Sequence, residues 1–312
     1  MTLPTALAHP LRLGTRASPL AMAQVHLVAA ALKAAHGWSD GAIEIVPVTA
    51  SGDKVLDRLL ADIGGKALWT KELDQWLLEG RIDAAVHSMK DVETLRPDAL
   101  EIAAMLPRAD VRDSIVGASS IAAIPKGGRL GTSSPRRSAQ VTRMRPDVQI
   151  VLFRGNVARR LARLEQREAE VTLLATAGLM RLGEQDAGTP ISVEEMLPAP
   201  AQGAIGVETL GDNAEMRSLL AAIDHAATSA CVRVERALLR GLGGTCHSPI
   251  AALAVMEGGE IRLRAEILSP DGAEHVAREQ VLPRASAEAL AEELGHEMLR
   301  SASPSLRALF MP

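Results

Sequence analysis

Tyrosine is absent from this 312-residue chain, and the other large aromatics amount to two phenylalanines and three tryptophans. A surface that stacks successive bases on aromatic rings has little to be built from. The formal net charge of −4 removes the general attraction to a phosphate backbone, so no nucleic-acid partner is expected. Cysteine is nearly missing too: Cys231 and Cys246 are too few for a disulfide scaffold. No CxxC or HxxxH spacing exists, and no metal is expected. No GxxxxGK[ST] phosphate loop occurs. Long apolar runs are lacking, which argues against a membrane-spanning helix. The opening MTLPTALAHPLRLGTR has no charged segment followed by an apolar one, as a secretory signal would. The expectation is a cytoplasmic protein in a reducing compartment, with no membrane partner.

What is present is ordinary in bulk and unusual in one detail. Apolar residues make up 47% and charged residues 23%, as in soluble globular proteins, and the length suits two or three domains. Of 34 basic residues only six are lysine, leaving 28 arginines. Ten of these fall between Arg129 and Arg167, opposed there only by Asp147 and Glu165. Arginine holds carboxylate and phosphate groups bidentately. Any one of them reads equally well as part of a solvated helix face; the cluster reads better as a site for a multiply charged acid.

The N-terminal part alternates strand and helix signals. Leu11 to Thr15 reads as a strand, Ser18 and Pro19 as a helix cap and first-turn proline, and Leu20 to Lys33 as a helix. Ile43 to Val48 reads as a strand, Lys71 to Leu78 as a helix and Ile82 to His87 as a short buried strand. This is the pattern of a doubly wound α/β domain. It then restarts: RLGTRASPLAMAQV from Arg12 is echoed by RLGTSSPRRSAQV from Arg129. The echo predicts two similar α/β domains, each presenting a helix N-terminus, a place suited to anions, at the end of a strand. Proline-rich segments from Met105 to Asp113 and from Leu197 to Gly206 are candidate hinges, so that the chain leaves the first domain and later returns to it. From about Ala226 the texture changes: a helix through Leu239, the loop GLGGTCHS, an alternating strand Ile261–Ile267, a turn at Ser269–Gly272 and a helix from Ser286 predict a small α+β domain.

Several segments carry candidate chemistry. HSMKD, His87 to Asp91, follows a buried strand, where α/β proteins place reactive groups. Asp91 there is an acid, base or cation stabiliser, or simply a helix cap, and His87 continues the apolar run as a core histidine. In GTSSPRR, Ser133 or Ser134 caps a helix whose first turn holds Arg136 and Arg137. Cations at that end oppose the helix dipole, which is reasonable where an anion sits. In FRGNVARRLARL, Arg154 precedes a helix on which Arg160, Arg163 and Arg167 recur away from the apolar stripe Val157, Leu161, Leu164. Arg181 follows the strand VTLLATA. Cys231 reads as a small apolar residue within a helix, whereas Cys246, in a glycine-rich loop, is a candidate nucleophile or attachment point.

Taken together and in order, HSMKDV, GTSSPRR, FRGNVARRL, AGLMRLG, PAQGAIGVE and GGTCHSPI, with TASGD from Thr49 and IGGKALWTKEL from Ile63, resemble the motif series of the porphobilinogen deaminase (hydroxymethylbilane synthase) family over nearly the whole chain. The resemblance implies two domains like the lobes of periplasmic binding proteins plus a small α+β C-terminal domain: residues 1–106 with 204–222, residues 107–203, and residues 226–312. It implies a transferase that condenses four porphobilinogen molecules, with loss of ammonia, into the linear tetrapyrrole hydroxymethylbilane of haem biosynthesis. A dipyrromethane cofactor, bound covalently, falls on Cys246, and the catalytic aspartate on Asp91. Cofactor contacts fall on Ser88, Lys90, Thr132, Ser134, Arg136, Arg137 and Arg160, and substrate contacts on Arg16, Lys66, Arg154 and Arg181. A monomer is expected, passing its product to uroporphyrinogen-III synthase. The chemistry suits these types: each pyrrole brings an acetate and a propionate, and loss of ammonia leaves a cation that a carboxylate stabilises.

The chain departs from the family at Trp69, at Glu93 where proline is common, and at Thr245 and His247 beside the cysteine. None removes a reacting group. A solute-binding protein of the same two-lobed plan is the main rival reading, disfavoured by the third domain and Cys246.

Overall fold

The computed structural model describes residues 9–49, 70–244 and 248–310. The expectations for Lys66, Trp69, Thr245, Cys246 and His247 lie outside the described residues. The described chain divides into two units, one from residues 9–49, 70–109 and 204–229, the other from residues 110–203, 230–244 and 248–310.

In the first unit, β1 (Leu11–Arg16) leads to α1 (Pro19–His36) through the predicted cap: the Ser18 hydroxyl accepts from the Ala21 N–H at 3.3 Å. Val25, Val28, Ala29 and Leu32 recur on the buried face of α1, and Gly37 ends it at φ +66°. Next come β2 (Ile43–Val48), α2 (Lys71–Leu78), β3 (Ala84–Ser88) and β4 (Leu100–Met105). The sheet is completed by a late strand, β10 (Ile205–Leu210), in the order β2-β1-β3-β10-β4. Strand β1 runs parallel to β2 and β3, while β10 is antiparallel to both its neighbours. Leu11, Leu13, Val25, Val28 and Leu32 form the core with β10 and with α6 (Ala214–Ala221), whose Leu219 and Leu220 are buried.

The second unit holds two sheets. Its first contains β5 (Asp113–Val116), β6 (Arg129–Thr132), β7 (Gln149–Leu152), β8 (Val171–Ala175) and β9 (Thr189–Pro190), in the order β7-β6-β8-β5-β9. Strand β6 is parallel to β7 and β8, and β5 is antiparallel to β8 and β9. This is the plan of the first unit's sheet, with β6 in the place of β1, as the sequence echo predicts. Each sheet is mixed, a feature that strand-length apolar runs do not reveal. Between these strands lie α3 (Pro135–Met144), α4 (Val157–Glu165) and α5 (Thr176–Arg181). The other sheet is an antiparallel meander of β11 (Ile250–Glu257), β12 (Glu260–Leu268) and β13 (His275–Leu282). Its apolar face, including Leu263, Ala265 and Ile267, meets α7 (Ala226–Leu242) and α8 (Ala287–Ser301) in one core. Cys231 is buried in that core, the role expected of it. No helix among the described residues is long and apolar enough to cross a membrane.

Candidate active site

In the first unit, β3 delivers Ser88 into a single 3₁₀ turn, Met89–Asp91. The turn carries Lys90 and Asp91, both partly exposed. A small pocket opens here, lined among others by Arg16 from the end of β1, Gln24 from α1, Thr70, Ser88 and Asp91. Three residues expected from sequence, Arg16, Ser88 and Asp91, are thus brought together. Ser88 is fixed by exchange with the buried Gln24, whose Nε2 donates to Oγ at 2.8 Å while Oγ donates to Oε1 at 2.9 Å. Gln24 was not anticipated; its only signal is an amide on the apolar face of α1.

Behind this pocket His87 is buried, as expected of a core histidine, with Nε2 at 3.1 Å from Glu208 Oε2 on β10. Burial opposes ionisation of Glu208, but the hydrogen bonds and charges of His87 and Arg96 prevail and hold its carboxyl at about 2.

In the second unit, Thr132 ends β6 and its Oγ1 accepts from the Ser134 N–H at 3.1 Å. Ser134, rather than Ser133, caps α3, with Oγ accepting from the Arg137 N–H at 3.4 Å. Arg136 and Arg137 follow, and both are buried. The anion that reconciles them with the helix dipole is within the chain: Asp113, the first residue of β5. Arg137 donates to Asp113 Oδ1 from Nε at 3.2 Å and Nη2 at 2.6 Å, and from Nη1 to the Leu173 carbonyl at 2.8 Å. Arg136 Nη2 lies 2.8 Å from Asp113 Oδ2, and its Nη1 donates to Gln140 and to the Leu197 carbonyl. Burial works against the Asp113 charge, yet the two guanidinium groups outweigh it and keep the carboxyl well below the usual range. Gln202 Nε2 also donates to Asp113 Oδ1, at 3.0 Å.

Two positive charges on one negative leave an excess of one in this cluster. The buried Arg136 Nε makes no hydrogen bond among the described residues. Arg154 is buried at the end of β7, and Arg160 on α4 donates to the Gly155 carbonyl at 3.0 Å and reaches Ser133 Oγ at 3.5 Å. Arg181, closing α5, donates to the Gly203 carbonyl at 2.7 Å. Burial alone lowers its pKa to about 10, with no carboxylate acting to raise it. A part-buried arginine with no carboxylate raising its pKa fits an anionic ligand such as a dipyrrole carrying acetate and propionate groups.

Comparison with known proteins agrees with the geometry. Residues 11–218 match the model of the porphobilinogen deaminase, dipyromethane cofactor binding domain, and residues 229–300 that of the porphobilinogen deaminase C-terminal domain. The porphobilinogen deaminase of Sphingopyxis alaskensis is 58% identical over 97% of each chain. That of Paracoccus denitrificans is 49% identical over 95% of this chain and 96% of its own. Among solved structures, an arginine-specific periplasmic binding protein of Salmonella typhimurium has a TM-score of 0.40 at 15% identity, covering 71% of this chain and 94% of its own. With a cofactor-domain match across both five-stranded sheets and near-full-length identity to two relatives of one name, the chain belongs to the porphobilinogen deaminase family.

Proposed function

We propose that this chain is a transferase that condenses four porphobilinogen molecules, releasing ammonia, into hydroxymethylbilane on a dipyrromethane primer attached to Cys246. The observation that carries the reading is the pocket at the end of β3, which Asp91, Ser88 and Arg16 all line. When bound, the dipyrromethane supplies the pyrrole carbon onto which the first new ring is joined. Asp91 accepts the pyrrole N–H of the substrate, stabilises the positive charge left when ammonia departs, and takes up the proton released after bond formation. Arg16 pairs with a substrate carboxylate, and Lys90 and Ser88 hold acid groups of the primer. In the second unit Thr132, Ser134, Arg136, Arg137 and Arg160 bind the acidic side chains of the primer, while Arg154 and Arg181, with Lys66, take those of incoming or later rings. Three domains, bounded near residues 106, 203 and 226, divide this work. The protein acts as a cytoplasmic monomer and hands its unstable linear product to uroporphyrinogen-III synthase.

The test is intact mass and ammonia release. Purified protein should carry an excess equal to two linked pyrroles and release ammonia from porphobilinogen. Cys246→Ser should lack the adduct and Cys231→Ser should keep it; an adduct retained on Cys246→Ser sinks the attachment. Asp91→Glu should retain slight turnover and Asp91→Ala essentially none, so near-normal turnover in Asp91→Ala would remove it from the reaction.

A further inference from the structure

The Asp91 turn is followed by Arg96, in a stretch whose Leu95 is exposed and whose Pro97 interrupts any regular element. Arg96 itself is largely buried, its side chain 10% exposed. All five of its N–H donors are occupied. Nε donates to Glu208 Oε1 at 2.8 Å and Nη2 to Glu208 Oε2 at 2.8 Å, a two-pronged pair. The second Nη2 hydrogen goes to Asp74 Oδ1 at 2.5 Å. Nη1 donates to Glu93 Oε2 at 2.7 Å and to Thr70 Oγ1 at 3.2 Å. Thr70 in turn donates to Glu93 Oε2 at 2.8 Å. One guanidinium therefore ties together the start of α2, strand β10 and the segment just after Asp91. Through Glu208 it also reaches His87, one residue before Ser88. Two residues of this network, Thr70 and His87, line the same pocket as Asp91.

We propose that Arg96 is a positioning residue for the reaction, holding the turn that carries Asp91 so that its carboxylate faces the pocket. The proposal rests on the reading of Asp91 given above. Arg96 makes no pocket wall itself; it acts by fixing Glu93 on one side of the turn and, through Glu208, His87 on the other. A guanidinium is needed because the acceptors lie around a plane, at its two ends and along its edge. An ammonium has three donors and satisfies no more than three of the five bonds. Loss of this bracing leaves binding groups such as Arg16 on β1 untouched, so turnover should suffer more than substrate affinity.

The experiment compares Arg96→Leu, Arg96→Lys and Glu93→Gln with the wild-type holoenzyme. Arg96→Leu is expected to lose about ten- to hundredfold in kcat, with KM within about threefold of wild type. Arg96→Lys should recover part of the loss, and Glu93→Gln should lose a few-fold with its melting temperature unchanged. Amide hydrogen exchange should quicken over residues 88–96 in Arg96→Leu while α1 stays protected. Exchange that rises evenly across the first unit, or kcat within twofold of wild type in both Arg96→Leu and Glu93→Gln, would overturn the proposal. If Arg96→Leu does not fold, Glu93→Gln decides. If wild-type protein releases no ammonia from porphobilinogen, the functional reading fails, and the local exchange pattern still decides whether Arg96 braces the turn.

Discussion

The two five-stranded sheets share one plan and settle their buried charge in opposite ways. In each, the antiparallel strand brings in a buried carboxylate: Glu208 on β10, Asp113 on β5. In the first unit three carboxylates, Asp74, Glu93 and Glu208, converge on the single guanidinium of Arg96. In the second unit two guanidinium groups, Arg136 and Arg137, converge on the single carboxylate of Asp113. The first arrangement is acid-rich and its arginine is saturated. The second is arginine-rich and retains an unsatisfied N–H on Arg136. A repeated fold thus carries one acid-rich half and one arginine-rich half.

The largest effect should come from removing the anion on the arginine-rich side. Asp113→Ala leaves two buried cations unpaired and should cost about 3–5 kcal/mol in urea unfolding. A loss under about 1 kcal/mol would mean that these arginines are neutralised by something other than Asp113. On the acid-rich side the matching change is Glu208→Gln. The Glu208 carboxyl is held at about 2, below its ordinary value of 4.5. Its stabilisation is therefore complete above the ordinary value and is lost as pH falls through about 2. Glu208→Gln should flatten the acid limb of a stability-against-pH curve; an unchanged limb would assign the acid sensitivity to other groups.

The arginines should also separate by stage. Arg136→Ala should run as protein without its two-pyrrole adduct, whereas Arg181→Ala should keep the adduct and accumulate partial pyrrole chains after brief exposure to porphobilinogen. Each lost charge-assisted hydrogen bond should cost about 10–150-fold in the affected step. Identical mass patterns would turn the cluster into one diffuse positive field. The smallest contrast lies in the echoed glycines. A Cβ at Gly131 would meet the Phe153 ring, and one at Gly14 the flexible end of Ile82. Gly131→Ala should therefore lose about 1–3 kcal/mol and Gly14→Ala less, since a ring face yields less than a terminal methyl. Equal losses would show that the two strands pack with equal stiffness.

Much of this was legible in the sequence where the signal is local. The strand Ile43–Val48 and helix Lys71–Leu78 appear with the expected bounds, and Ser18 and Ser134 cap helices beside their prolines. His87 and Cys231 are buried, as their apolar surroundings suggest. What stayed hidden is pairing across distance. Asp113 precedes Arg137 by 24 residues, and Glu208 lies 112 residues beyond Arg96. Nothing in either neighbourhood marks these as partners. Arg96 sits between an exposed leucine and a proline, where a side chain is ordinarily solvated. Strand direction was equally unreadable, because an apolar run has the same alternation in either sense.

The late strand β10 has a consequence for how the chain folds as it is made. Among the described residues, strand β4 joins the first sheet only by pairing with β10, about a hundred residues downstream. The sheet of β5 to β9, by contrast, is continuous between Asp113 and Pro190. A ribosome reading from the N-terminus therefore releases every strand of the second sheet before the first sheet can close. The strands of the second sheet are thus all present in the nascent chain before all those of the first, although the N-terminal domain is ordinarily the first to be complete. Until Leu210 emerges, β3 and β4 expose unpaired edges, and this waiting interval is when the nascent chain is most open to aggregation and to chaperone capture.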